Sequence, residues 1–203
     1  MARNRTELSE DRVERDPYLQ FAKWYGEAQD AERPLPDAAA LATSTARGRP
    51  SLRMVLLKGF DAHGFVFYTH YRSRKGRELA RNPRCVLLFY WGRLERQVRI
   101  EGAVARVAPR ESDEYFATRP RGSQLSAWAS AQSAALPGRA ALERRFTAFE
   151  RRYPESVPRP PHWGGYRLAP EAIEFWQGRD DRLHDRILYH LAQGRWRVER
   201  LAP

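Results

Sequence analysis

The order of apolar and polar residues predicts a chain that begins with a helix and continues mainly as short strands. Asp16 can accept hydrogen bonds from the first turn of a helix, and Pro17 fits its first position. Aromatic residues then recur at helical spacing over residues 18–25. Residues 1–15 carry many charges and few apolar anchors, so we expect a flexible N-terminal arm there and a single domain over 16–203.

Apolar runs separated by turn residues predict a first strand followed by two β-hairpins. The first strand covers residues 38–45, the first hairpin pairs 52–58 with 65–69, and the second pairs 85–91 with 97–107. Between the hairpins, Ser73 can cap a short helix that reaches Asn82, and Pro83 would end it.

Helices are inserted late in the chain, before the closing strands. We expect helices at 109–118, 123–131 and 137–153, an irregular proline-rich linker to 165, and strands at 166–168, 173–177, 186–190 and around Trp196 and Val198. This order predicts a mainly β fold, an antiparallel barrel with peripheral helices. A parallel Rossmann sheet is excluded, since strands and helices do not alternate and no GxGxxG motif follows a strand.

The positive charge raises the possibility of a nucleic-acid partner. The chain has 36 Lys and Arg against 25 Asp and Glu, a formal net charge of +11. However, the only lysines are Lys23, Lys58 and Lys75, so 36 − 3 = 33 of the cations are Arg, and they are spread along the whole chain. We therefore expect no nucleic-acid partner and keep that class as a rival hypothesis. The five His show no ligand spacing, so no metal site is expected.

The single cysteine and the hydropathy pattern favour a cytoplasmic protein without a membrane span. Cys85 has no partner for an intramolecular disulfide and lies in an apolar run, which is typical of an inert buried thiol in a reducing compartment. No apolar run approaches the ~20 residues of a membrane helix, and the N-terminus lacks a signal-peptide core.

Two groups of cations could bind anions. Ser73-Arg74-Lys75 opens a helix, where free N–H groups, a hydroxyl and two cations suit a phosphate, although a capped, solvated helix start is the plainer alternative. Arg53 and Lys58 lie five residues apart on one strand and so point to opposite faces, which predicts either two anionic sites or one long ligand.

A second set of polar residues lies in the C-terminal half. Tyr115, Arg119 and Ser123 are spaced four apart and could hold a second phosphate, or could form an exposed polar helix end. The dense ionisable residues of 182–186 interrupt a strand after Trp176, which indicates a site. No GxSxG nucleophile elbow is present, so a hydrolase triad is not predicted.

Taken together and in order, these segments resemble the pyridoxine (pyridoxamine) 5′-phosphate oxidase family. The resemblance runs from Asp16 to the terminal RLAP and rests on RMVLLK, FYTHYRSRK, NPRCVLLFYW, LERQV, YFATRPRGSQLSAWAS, IEFWQG and RLHDR. It implies a homodimeric split β-barrel with FMN at the subunit interface. It also implies oxidation of pyridoxamine or pyridoxine 5′-phosphate to pyridoxal 5′-phosphate, with O₂ reoxidising the flavin to give H₂O₂. The alternative is an FMN-binding relative that uses another small substrate or lacks oxidase activity.

The same resemblance implies the site residues. The expected FMN contacts are Arg53, Lys58, Tyr68, Thr69, Ser73, Arg74, Lys75, Gln97, Gln132, Ser133, Trp176 and Arg186. The expected substrate contacts are Lys58, Tyr115, Arg119, Ser123, Arg182 and His184, with Arg182 and His184 as the catalytic pair. Family members commonly carry an Arg and a Tyr on an N-terminal segment that covers the substrate, and residues 1–14 show no clear equivalent.

Overall fold

The computed structural model describes residues 7–203, which form five α-helices and eight strands of one antiparallel sheet. The helices are α1 Pro17–Ala31, α2 Arg74–Arg81, α3 Pro109–Thr118, α4 Arg121–Ala129 and α5 Arg139–Arg152. The strands are β1 Ala38–Ser44, β2 Pro50–Asp61, β3 Gly64–His70, β4 Arg84–Trp91, β5 Arg96–Arg106, β6 Trp163–Gln177, β7 Asp185–Ala192 and β8 Arg195–Arg200. A 3-10 turn, Asp180–Arg182, lies between β6 and β7.

The predicted barrel is confirmed. The strands follow the order β3-β2-β1-β4-β5-β6, and the sheet closes because β3 also pairs with β6. Strands β7 and β8 extend the sheet beyond β6. Phe21 of α1 is fully buried and packs edge-on against Phe60, Phe65 and Phe89, so α1 is anchored to the barrel by its aromatic face.

Strand β6 corrects the prediction of two short strands after an irregular linker. Trp163–Gln177 is one continuous strand of 15 residues that begins inside the segment expected to be irregular. Pro170 lies opposite Gly102, next to a register shift at which Glu171 of β6 has no partner on β5, so the missing proline N–H falls where the ladder is already interrupted. A Cβ on Gly102 would lie 2.1 Å from the Ala169 carbonyl oxygen, which shows how closely the two backbones approach. The helices α4 and α5 also begin two residues away from the expected Ser123 and Pro137.

The described part of the N-terminal segment, residues 7–15, lies against β7 and β8. Leu8 is buried, and its carbonyl accepts a hydrogen bond from Arg200 Nη2 at 2.9 Å. The Tyr189 hydroxyl donates to the Glu14 carbonyl at 2.6 Å. The first six residues of the predicted arm lie outside the described range, and a domain boundary at residue 16 stays a prediction.

One outer face of the sheet is apolar and uncovered. Leu52, Met54 and Leu56 alternate along β2 with 68%, 62% and 38% of their surface exposed. Their partners across β1 are alanines, so the apolar surface continues onto the neighbouring strand. Large exposed apolar patches mark interaction surfaces. None of the helices within residues 7–203 has the length and apolarity needed to cross a membrane.

Candidate active site

A cleft of about 500 Å³ lies where β2 and β3 meet the helices α3 and α4. The residues that line it include six of the expected site residues, namely Lys58, Tyr68, Thr69, Tyr115, Arg119 and Gln132. Ser123 does not line this cleft, since it sits in the first turn of α4, where its N–H donates to the Pro120 carbonyl at 2.8 Å.

Stacked aromatic rings form one wall of the cleft. The rings of Tyr68, Tyr115 and Trp163 are nearly parallel, with centroid distances of 4.0 Å for Tyr68–Tyr115, 5.4 Å for Tyr68–Trp163 and 6.2 Å for Tyr115–Trp163. Burial, followed by the nearby Glu111, raises the pKa of Tyr68 to about 12, so its hydroxyl stays protonated at neutral pH. A flat, rigid, apolar wall with a hydroxyl at its edge suits a planar ring ligand.

Arg119 has a buried donor that no residue of the described chain uses. Its guanidinium lies 4.7 Å from the centroid of the Trp163 ring, and its Nη1 is buried without a hydrogen-bond partner among residues 7–203. Burial lowers the pKa of Arg119, opposed by Tyr115. An unsatisfied buried cation is costly, so an anionic ligand in the cleft would satisfy this group.

The start of α2 forms a second cationic position. Ser73 caps the helix and accepts from the Gly76 N–H at 3.2 Å, while Lys75 Nζ donates to Thr69 Oγ1 at 3.1 Å and to Gln132 Oε1 at 2.9 Å. Burial, and then the nearby Arg53, lower the pKa of Lys75 to about 8. Helix, strand and the 132–133 loop therefore converge on one ammonium group.

The close packing at the start of α2 depends on small residues. A Cβ on Gly76 would lie 2.2 Å from the Tyr71 carbonyl oxygen, so no other residue fits there without movement. The Arg74 N–H donates to Ser133 Oγ at 3.2 Å, which ties the helix start to the loop before α5. Four expected FMN residues, Ser73, Arg74, Gln132 and Ser133, are thus neighbours of Lys75.

Glu78 is a central residue of this region that sequence reasoning missed. It is 5% exposed, and its carboxylate accepts hydrogen bonds from Thr43, Ser51 and Arg74. Burial raises the pKa of Glu78, but the hydrogen bonds from Ser51, Thr43 and Arg74 outweigh that effect and bring it down to about 2. Its position four residues after Arg74 on a predicted helix was the available signal.

Arg53 and Lys58 have separate surroundings, which confirms the expectation that they point to opposite faces of β2. Arg53 faces α2, where its Nη2 lies 3.4 Å from Glu78 Oε2. Lys58 lines the cleft and its Nζ contacts Asp37 Oδ2 at 2.6 Å. A single small anion could not contact both cations.

The remaining expected site residues form a second group, away from the cleft. Gln97, Trp176 and Arg186 occupy directly paired positions on β5, β6 and β7, so their side chains project from one face in a row. The His184 ring lies 4.6 Å from Trp176, and Arg182 is exposed in the 3-10 turn. None of these five residues lines the cleft.

Strand β6 connects the two groups. Trp163 near its beginning lines the cleft, and Trp176 near its end belongs to the second group. At ~3.3 Å per residue, roughly 40 Å of strand contour separates them. The two groups of expected site residues therefore lie at opposite ends of one strand and do not meet within the described chain.

Comparison with known proteins identifies the family. A model described as "Pyridoxamine 5'-phosphate oxidase" matches residues 25–153, and one described as "Pyridoxine 5'-phosphate oxidase C-terminal dimerisation region" matches residues 163–203. Proteins named "Pyridoxine/pyridoxamine 5'-phosphate oxidase" from Paraburkholderia phymatum and Rubrobacter xylanophilus are each 59% identical. The alignments cover 94% of this chain and 91% of the first relative, and 98% and 92% for the second.

Solved structures agree with this assignment. PhzG from Burkholderia lata 383, in complex with tetrahydrophenazine-1-carboxylic acid, has a TM-score of 0.91 and 34% identity over 98% of both chains. A pyridoxamine 5′-phosphate oxidase-related, FMN-binding protein from Nostoc punctiforme shares the fold, with a TM-score of 0.70 and 18% identity over 98% of this chain and 100% of that one. The matched models, the relatives and the closed barrel lead to one conclusion: this chain belongs to the pyridoxamine 5′-phosphate oxidase family.

Proposed function

We propose that the protein oxidises pyridoxamine and pyridoxine 5′-phosphate to pyridoxal 5′-phosphate, with FMN as cofactor and O₂ as acceptor, releasing H₂O₂. One observation carries the proposal: there are two separate cationic positions, Lys75, whose ammonium is bound by the cleft residues Thr69 and Gln132, and Arg119 in the cleft with its unused donor. A reaction between a phosphorylated cofactor and a phosphorylated substrate needs two such positions.

The start of α2 fits the FMN phosphate. Its N-terminal N–H groups, Arg74 and Lys75 supply donors and positive charge, and Arg53 stands behind them on β2. The row of Gln97, Trp176 and Arg186 offers an indole and two groups of donors for the flavin ring system. Held there, FMN would supply the redox chemistry, the two-electron oxidation of the substrate carbon that bears the amine or alcohol, with O₂ as the final acceptor.

The protein's own residues would bind and orient the substrate. Lys58, Tyr115 and Arg119 line the cleft and would hold the substrate phosphate. Arg182 and His184 would position the substrate ring over the flavin, so that the reacting carbon faces the acceptor. The stacked Tyr68 and Trp163 would shield that side of the bound substrate from water.

A homodimer would assemble complete sites from the two half-sites. The C-terminal dimerisation region and the apolar outer face of β2 support a second copy of this chain as the partner. With two copies, the cleft of one chain can meet the Trp176 row of the other, which gives two sites per dimer. A cytoplasmic location remains part of the proposal and is supported by the buried, reduced Cys85.

The deciding experiment combines a spectrum with a substrate comparison. Purified protein should show a flavin absorption spectrum and release H₂O₂ in air with pyridoxamine 5′-phosphate, and much less with unphosphorylated pyridoxamine. The likeness to PhzG motivates a second arm with a tetrahydrophenazine carboxylate. A flavin-containing protein active only on that carboxylate, or on neither substrate, would favour the alternative family member. Colourless protein that binds duplex DNA tightly would support the nucleic-acid rival.

A further inference from the structure

The loop between β6 and β7 carries Arg182 and His184 in an unfavourable backbone conformation. Asp181 and Arg182 are successive non-glycine residues in the left-handed region, with φ of 54° and 61°. Non-glycine residues in this region are strained, so contacts elsewhere must hold the loop in this shape.

Asp185, the first residue of β7, makes those contacts. Its carboxylate is 12% exposed and accepts from Arg179 Nε at 2.6 Å, from Arg200 Nη1 at 2.9 Å and from the Leu8 N–H at 3.3 Å. Burial raises the pKa of Asp185, but the hydrogen bonds from Arg179 and Arg200 outweigh it, so the carboxylate is ionised at neutral pH. Residues near both ends of the chain therefore meet at the base of the loop.

Arg179 connects this carboxylate to His184. Its side chain is held by Asp185, and its backbone N–H donates to His184 Nδ1 at 3.1 Å. A ring nitrogen that accepts a hydrogen bond carries no proton, so the neutral imidazole has its proton on Nε2. His184 then offers an N–H donor at Nε2 and has no free base nitrogen.

We propose that Asp185 is a positioning residue that, through Arg179, holds His184 in the tautomer protonated at Nε2, so that His184 donates a hydrogen bond to the substrate. The hydrogen bond from His184 to the substrate rests on the proposed oxidase function, whereas the assignment of the His184 tautomer does not. Arg200 also binds Glu10 at 2.9 Å. It therefore connects the N-terminal segment to the Asp185 carboxylate, and residues 8–10 help to hold the loop between β6 and β7.

Kinetics in two backgrounds test the positioning role. Asp185→Asn should lower kcat/KM for pyridoxamine 5′-phosphate by about tenfold with FMN content unchanged, because Arg186 is held by Glu174 at 2.7 Å and not by Asp185. In a His184→Asn background, Asp185→Asn should lower kcat/KM by less than about twofold, because Asp185 acts through His184. Equal losses in both backgrounds would overturn the proposal. Asp113→Asn, which removes an exposed partner of Arg159, is the matched control and should change neither kcat/KM nor FMN content.

Nitrogen NMR of ¹⁵N-histidine-labelled protein reads the tautomer directly, with or without activity. The signal that disappears in His184→Asn should show the Nε2–H tautomer in the wild type and a mixture of tautomers in Asp185→Asn. If Asp185→Asn does not fold, Arg179→Met serves in its place with the same expected result. A proton on Nδ1 in the wild type would refute the proposal. Wild-type protein with this tautomer but no oxidase activity would refute only the proposed function.

Discussion

Arg74 Nε donates to Glu78 Oε1 at 2.9 Å, one turn apart on α2. The other carboxylate oxygen lies 3.4 Å from Arg53 Nη2. One buried anion therefore keeps two cations of the proposed FMN-phosphate position in place before any ligand binds.

Glu78→Gln should destabilise the FMN-free protein by about 2–3 kcal/mol at pH 7, because it leaves Arg53 and Arg74 without a counter-ion. The folded-state pKa of Glu78, about 2, lies below the ordinary glutamate pKa of 4.5, so the stabilisation is fully present above pH 4.5 and is lost as pH falls toward 2. Urea unfolding of both proteins across this range measures the difference, which should shrink in acid. Glu114→Gln, which removes an exposed partner of Arg110, is the control and should change little.

FMN affinity should fall as pH rises above 8. Lys75 has a pKa of about 8, below its usual value, so the ammonium that would face the phosphate loses its charge above that pH. We expect affinity to drop by about tenfold between pH 7.5 and 9.5, measured by flavin fluorescence quenching. The Lys75→Met variant should bind FMN more weakly than the wild type at pH 7.5, and its FMN affinity should be nearly independent of pH over this range. Lys23→Met removes an exposed lysine of α1 and should retain the wild-type profile.

Arg119→Met should raise KM for pyridoxamine 5′-phosphate by about 10- to 100-fold while leaving FMN content unchanged, because a buried cation–phosphate contact contributes about 1.5–3 kcal/mol. Activity on unphosphorylated pyridoxamine should change much less. Steady-state peroxide release with both substrates measures the difference. Equal loss on the two substrates would show that Arg119 does not bind the phosphate.

Two variants that are impaired at low substrate concentration should complement each other, in assays well below the KM of Arg119→Met, if the proposed half-sites meet across a dimer. Arg119→Met changes one half-site and Arg182→Leu changes the other, so a mixed dimer has one site with both changes and one with neither. After unfolding and refolding an equal mixture, half of the dimers are mixed, and about a quarter of the wild-type activity should return. Absence of recovery, with mixed dimers verified by mass, would place each complete site within one chain.

Met54→Arg should weaken the dimer and, with it, flavin binding. Met54 is 62% exposed in the single chain, at the centre of the apolar row of β2. Charged residues facing each other across a two-fold interface repel and remain poorly solvated. Size-exclusion chromatography with light scattering should show a shift toward monomer. Leu19→Arg, at a 58% exposed position on α1, should leave the dimer intact.

Much of the fold could be predicted from local pattern, because hairpins and capped helices depend on neighbouring residues. The capped helix at Ser73 and the opposite orientations of Arg53 and Lys58 follow from periods of 3.6 and 2 residues. The continuity of β6 could not be predicted in this way. Pro170 looks like a strand breaker until its partner strand is known to shift register at Gly102.

The site was harder to predict than the fold, since its critical contacts join distant segments. Lys75 meets Gln132, 57 positions away, and Asp185 meets Leu8, 177 positions away. Family resemblance supplied the names of most candidate residues, but it did not point to Glu78 or Asp185. Their importance comes from burial and from the cations around them, which appear only when the chain is folded.

If the residues at the two ends of strand β6 form complete sites only across a homodimer, as proposed, the activity of the protein depends on its concentration. A monomer formed on dilution would then lose its flavin position and its substrate position in the same step. Specific activity should then fall in proportion to protein concentration once dilution passes the dimer dissociation constant, because the concentration of dimer falls with its square. Bound flavin would have the opposite effect to dilution, because a ligand that contacts both chains stabilises the dimer.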